Sequence, residues 1–320
     1  MKLLNQGAYE IVQNMALEAE SLRINTRRMD CGALLIDAGI ETYGSYEAGR
    51  LFAEVCLAGL GKVDFCDLNC GDLWLPGVRV VVDHPVKACM ASQYAGWDLK
   101  TEKSGGESFF AMGSGPARAN YGAEELLARL GYSEAAEVAV LVLETRQMPD
   151  DAVALWIAEK CGVSTEKLCL LAAPTASLVG SIQVAARIVE TGLHKLELLD
   201  FDLNAVKTGF GVCPIAPVAM DDLSAIGRTN DAVLYGGRAF YTATAGREAV
   251  ASVLDKLPSS SSRDYGSPFG VLFKRYDYDF YKIDPLLFSP AQVTINDLES
   301  GETFRCGRIN SELLEKEWLA

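Results

Sequence analysis

The feature that most constrains this chain is its alternation of short, nearly unbroken apolar runs with stretches of helical periodicity. The runs are Ala33–Ala38 (ALLIDA), Val78–Asp83 (VRVVVD), Glu137–Leu143 (EVAVLVL) and Leu168–Ala172 (LCLLA). All four read as strands; the unbroken run Val78–Asp83 is expected to be buried on both faces, and Glu137–Leu143 is another buried strand. Between them lie amphipathic helices. Leu4–Leu22 carries Ile11, Val12, Met15, Ala16, Ala19 and Leu22 at helical spacing, and Tyr46–Gly59 is opened by Ser45 as a cap and closed by Gly59 and Gly61. Glu124–Leu130, Asp150–Cys161 and Thr175 to Gly192 complete the helical set. Further strands are expected at Phe109–Met112, Leu196–Phe201, Ala232–Tyr235 and Leu272–Phe273, and Pro258–Pro268 (PSSSSRDYGSP) reads as a flexible loop. Strand and helix in alternation define an α/β class. At 320 residues the chain exceeds the roughly 250–300 at which single cores stop growing. Two α/β domains are therefore expected, 1–172 and 173–320, with segments free to cross over.

Charge and composition remove several function classes. Lys and Arg total 29 against 43 Asp and Glu, a net charge of −14 that repels a phosphate backbone, so nucleic acid is not an expected partner. No window approaches the ~18 apolar residues of a membrane span. Nine cysteines, an odd number, together with a polar start and no leader pattern, point to free thiols in a reducing compartment. His84 and His194 are the sole histidines and no second pair follows Cys66 and Cys70, so no metal site is expected. The loop Gly113-Ser114-Gly115-Pro116 lacks the lysine of a phosphate-binding loop and the third glycine of a dinucleotide fingerprint. It is either an anion-holding nest of amides or a plain tight turn. No GxSxG elbow occurs, and two histidines leave little material for a catalytic triad.

The helix from Thr175 is richer. Leu178, Ile182, Ala185, Ala186, Val189 and Leu193 form an apolar stripe, while Gly180, Gln183, Arg187, Glu190 and His194 recur at spacings of three and four on another face. Arg187 and Glu190 are open to two readings. One is an exposed ion pair of little energetic weight. The other is a cleft-lining pair in which the arginine holds the carboxylate ionised and Glu190 acts as general base on water. In the second reading Gly180 lets something approach the helix closely.

At this helix the chain resembles the methenyl-tetrahydromethanopterin cyclohydrolases. The resemblance rests on PTASLVGSIQVAARIVETGLHK (174–195), IDAGIETYGSYEAGRLFAEVCLAGLG (36–61), DHPVKACMASQYAGW (83–97), FFAMGSGPARA (109–119), APVAMDDLSAIGRTNDAVLYGG (216–237) and DPLLFSPAQVTIN (284–296). It implies a cytoplasmic homotrimer of one-carbon metabolism, serving methanogenesis or C1 oxidation, without metal or cofactor. Each subunit would have two α/β domains with a deep pocket between them. The implied reaction interconverts the 5,10-methenyl pterin plus water with the 5-formyl form plus a proton. The family's Arg-x-x-Glu falls on Arg187 and Glu190. Gln183 and Ser181 on the same helix are substrate-binding candidates. So are Gly113, Ser114, Gly115, Arg118 and Lys87 for an anionic tail, and Arg228, Thr229, Asn230 and Asp231 for the pterin edge, though the last group reads equally well as a turn capping the next strand. The alternatives are a non-catalytic binder of reduced pterins and a cyclohydrolase acting on a folate analogue. The chemistry suits the residues: an amidinium carbon is already electrophilic, and one carboxylate suffices to take the proton of the attacking water.

Overall fold

The computed structural model describes residues 2–319. Contacts gather the chain into two compact units, the first running to Gly61 and resuming over Lys87–Gln183, the second comprising Lys62–Val86 and the chain from Val184 onward. Among the described residues the strands form two six-stranded sheets, one in each unit, both accompanied by helices in an α/β arrangement.

The first sheet runs Asn25–Arg28, Leu34–Asp37, Leu168–Ala173, Ala139–Glu144, Ser108–Ser114, Trp97–Glu102. Its three inner strands Leu34–Asp37, Leu168–Ala173 and Ala139–Glu144 are parallel, and the outer ones pair antiparallel. Successive residues of the parallel strands enter different cores. Leu35, Leu141, Leu143 and Leu170 pack with Val153, Ala154 and Ile157 of the helix Asp151–Cys161. Leu34, Ile36, Val140, Val142 and Leu171 pack with Ala8, Val12 and Met15 of the helix Leu4–Leu17 and with Phe52 and Val55 of Tyr46–Cys56. With helices on both faces, every position must be apolar, which is why these runs are unbroken. Each such Leu or Val contributes about 1.5–3 kcal/mol on burial. The helix starts follow local chemistry: the Ser45 hydroxyl accepts from the Ala48 amide, and the Asp150 carboxylate accepts from that of Val153.

The second sheet runs Thr303–Gly307, Gln292–Asp297, Arg238–Ala243, Val206–Pro214, Leu73–Val82, Gly61–Cys70. The expectation that VRVVVD is buried on both faces does not hold. Val78, Val80 and Val82 are buried, whereas Arg79 is exposed and paired with Asp64. The strand lies in a mostly antiparallel sheet with one face left open. The covered face carries the helix Ile188–Leu198, whose Ile188 and Val189 sit directly over Gly209 and Gly211.

Three further expectations are corrected here. Leu196–Phe201 is the end of that helix and its exit, and the strand comes later, at Val206–Pro214. Ala232–Gly236 is a π-helical turn continuing the helix Asp222–Asp231, and the strand begins at Arg238. Leu272 and Phe273 belong to the helix Phe269–Arg275. Apolar runs of two to six residues carry too little periodicity to separate a buried helix turn from a strand. The serine segment is also not slack. Ser259 is fully buried with its hydroxyl donating to the Leu234 carbonyl (2.6 Å), and the Ser262 hydroxyl donates to Asp284 (2.8 Å). Among the described residues no helix is long and apolar enough to cross a membrane.

Candidate active site

The single helix expected from Thr175 to Gly192 is two helices, Leu178–Ala185 and Ile188–Leu198, separated at Ala186-Arg187. No glycine or proline marks the break, so periodicity alone runs through it. Ser177 starts the first helix, its hydroxyl accepting from the Gly180 amide (2.9 Å) and donating to the Pro174 carbonyl (2.7 Å). A Cβ at Gly180 would lie 2.2 Å from that same carbonyl. The close approach that Gly180 permits is therefore made by the preceding turn of the chain itself.

The break changes the meaning of the Arg-x-x-Glu spacing. Arg187 becomes the residue that caps the second helix, and Glu190 lies in its first turn, where the unsatisfied amides favour a carboxylate. Glu190 is 6 % exposed. The Arg187 Nη1 to Glu190 Oε2 distance is 4.0 Å, and the two side chains are 12 % and 8 % exposed. Burial removes the reading of an exposed ion pair. At 4.0 Å the charges attract without a direct hydrogen bond. Arg118 and Glu124 make the contrast, closed by two bonds of 2.7 and 2.5 Å.

The other sequence candidates separate by environment. Arg118 is fully buried, and beyond Glu124 its guanidinium donates to the carbonyls of Met90 and Ser92, so it holds the π-helical turn Val86–Gln93 in place. Gly113 and Ser114 belong to the strand Ser108–Ser114, and the Gly115 amide donates to the Ser92 carbonyl (2.8 Å), so that amide of the loop is already bonded within the chain. Lys87 is exposed, with its ammonium 5.9 Å from the Tyr132 ring centre. Arg228, Thr229, Asn230 and Asp231 lie on a helix, correcting the expected turn. The Thr229 hydroxyl and the Asn230 amide bond the carbonyls of Ala225 and Ile226 one turn back. Arg228 reaches the carbonyls of Pro217 and Val218 at 3.4 Å. Asp231 accepts from the Phe269 amide, and burial pushes its carboxyl up to about 8. Ser181 is 1 % exposed, and its hydroxyl has no hydrogen-bond partner among the described residues.

Residues 3–318 match the family model described as Cyclohydrolase (MCH). The chain belongs to the MCH cyclohydrolase family. It is 46 % identical to a methenyltetrahydromethanopterin cyclohydrolase of Methanothermobacter marburgensis, covering 99 % of both chains. A protein of the same name from Methanocaldococcus jannaschii is 44 % identical over 99 % of this chain and 98 % of its own. One from Methylobacillus flagellatus is 44 % identical over 98 % and 95 %.

Within this MCH cyclohydrolase chain the structure adds three polar side chains that the sequence reading passed over. Glu144 ends the strand Ala139–Glu144, and its carboxylate accepts from the Thr175 hydroxyl (2.5 Å) and the Gln183 amide (3.1 Å). The available signal was a lone carboxylate at the carboxyl end of an otherwise apolar strand, the place where open α/β sheets carry their ligands. Lys195 is fully buried on the Glu190 helix, donating to the Leu286 carbonyl and the Ser261 hydroxyl, and burial pulls its ammonium down to about 8. Its signal was a lysine among apolar helix positions. Tyr241, also fully buried, donates to the Val189 carbonyl at 2.7 Å, and no local pattern announces it.

Proposed function

We propose that this chain catalyses the reversible hydrolysis of 5,10-methenyl-tetrahydromethanopterin to the 5-formyl form, as a hydrolase of a C–N bond in a cyclic amidine. The observation that carries the reading is the buried Arg187–Glu190 pair at a helix N-terminus, in a chain whose full-length relatives bear that name.

Glu190 takes a proton from water as the water oxygen bonds to the methenyl carbon. The resulting adduct carries a hydroxyl. As the C–N10 bond breaks, the hydroxyl proton leaves, N10 gains one, and the carbon remains on N5 as formyl. Glu190 then releases its proton to solvent, which balances a cationic substrate against a neutral product. The 4.0 Å gap between Nη1 and Oε2 suits a water about 2.8 Å from each. Arg187 would also hold the oxygen as negative charge develops on it. Ser181, a buried hydroxyl in want of a partner, and Gln183, oriented by Glu144, are assigned to substrate binding.

The test is loss of the methenyl absorbance in the presence of the purified chain. Turnover supports the reading, and tight binding without turnover would make the protein a pterin carrier. A kcat/KM for methenyl-tetrahydrofolate equal to that for the methanopterin substrate would move the assignment to a folate analogue.

Homotrimeric assembly and a cytoplasmic setting are part of the same proposal. The thiol content suits a reducing compartment. On the open face of the second sheet Phe240 pairs with Phe210 and Phe210 with Val81, and the two phenylalanines are 39 % and 40 % exposed. An apolar row of this kind is suited to a further copy of the chain. A sedimentation mass of one 34.5 kDa chain would refute the trimer.

A further inference from the structure

We infer that Tyr241 is a positioning residue for the proposed reaction: its hydroxyl fixes the peptide unit that carries the Glu190 amide, and thereby sets where the carboxylate points. The inference rests on Glu190 being the base.

Tyr241 sits mid-strand in the second sheet, with Gly209 opposite it on one neighbouring strand and Ile295 on the other. Its phenol donates to the Val189 carbonyl at 2.7 Å. That carbonyl belongs to the bond joining Val189 to Glu190, so a donor on it holds the plane from which the Glu190 side chain departs. In an α-helix the same carbonyl receives the amide four residues on. The phenol is thus an additional donor, reaching up from the sheet.

The surrounding sequence is built to admit it. A Cβ at Gly192 would lie 2.1 Å from the Tyr241 hydroxyl oxygen. Glycine inside a helix is otherwise unfavourable, and the phenol supplies its reason. Below the turn, a Cβ at Gly209 would come 2.5 Å from Val189, and one at Gly211 would come 2.5 Å from Ile188. The first turn of the helix therefore rests on bare backbone, with the phenol as its hydrogen-bonded pin. A turn so closely seated has little room to move, and errors of about an ångström in a catalytic group cost on the order of 100-fold in rate.

Tyr241→Phe keeps the ring and removes the pin. We expect kcat for methenyl hydrolysis to fall about 10- to 100-fold, KM to stay within about twofold, and the midpoint of the pH–kcat profile to move. Core filling alone would move neither the midpoint nor the kcat-to-KM balance. Gly192→Ala should be more damaging in the wild-type background than in Tyr241→Phe, where the closest contact of the added methyl is gone. Wild-type kcat and pH profile in Tyr241→Phe overturn the inference. So does a loss of kcat matched by an equal rise in KM with the midpoint unmoved. Glu190→Gln assayed in parallel separates the two ideas: if it stays active the base assignment falls, whatever Tyr241→Phe does.

Discussion

Glu190→Gln is expected to lower kcat by about two to four orders of magnitude, the usual worth of a general base. The amide matches the carboxylate in volume, so packing in the first turn of Ile188–Leu198 should survive. What disappears is the proton acceptor. Water can still reach the methenyl carbon, yet it must then add as a poor nucleophile, with its proton shed to solvent. Binding should weaken only modestly, because the lost negative charge faced a cationic substrate while every apolar contact remains. Single-turnover decay of the methenyl absorbance over a range of enzyme concentrations measures both the rate and the affinity for the cationic substrate. A Gln variant within about tenfold of wild type would place the base elsewhere, since general-base help is worth more than that. Glu144 would be the next carboxylate to test, being already held by Thr175 and Gln183.

The first unit was legible in the sequence because its physics is local. Strands covered by helices on both faces must be apolar throughout, and ALLIDA, EVAVLVL and LCLLA carry that requirement openly. Ser45 and Asp150 announce their helices by the side-chain oxygen each offers. Apart from Val78–Val82, the second unit hid its strands. Val206–Pro214 reads VKTGFGVCP, with glycines where a strand would ordinarily show branched residues, because the helix above needs that space. At the site, the Arg-x-x-Glu spacing singled out two side chains that are buried together, but the helix break at Ala186-Arg187 carries no sequence mark. Arg118 stands beside a glycine loop and so suggests an anion site, while its burial against Glu124, Met90 and Ser92 has no local sequence mark. Tyr241 and Val189 are far apart in the chain, and nothing local could have joined them.

Arg187→Gln is expected to cost both stability and turnover, and a second substitution should return only the stability. Removing the guanidinium takes away the cation of a buried pair, and breaking such a pair costs up to about 3–5 kcal/mol. The helix N-terminus offsets about 0.3–1 kcal/mol of that, since Glu190 remains in the first turn. At about 2–4 °C per kcal/mol for a domain of this size, Tm should fall by roughly 5–15 °C. In Arg187→Gln/Glu190→Gln neither charge of the pair remains. Two neutral amides of similar volume occupy the same space, and replacing a buried pair by groups that need no counter-charge is often close to neutral. The double variant should therefore melt near wild type while remaining as slow as Glu190→Gln. That combination, a stable protein without turnover, is what a pair kept for chemistry predicts. If calorimetry finds the double variant no more stable than Arg187→Gln, the two side chains are not energetically coupled across their 4.0 Å gap, and the role of Arg187 in holding Glu190 is lost.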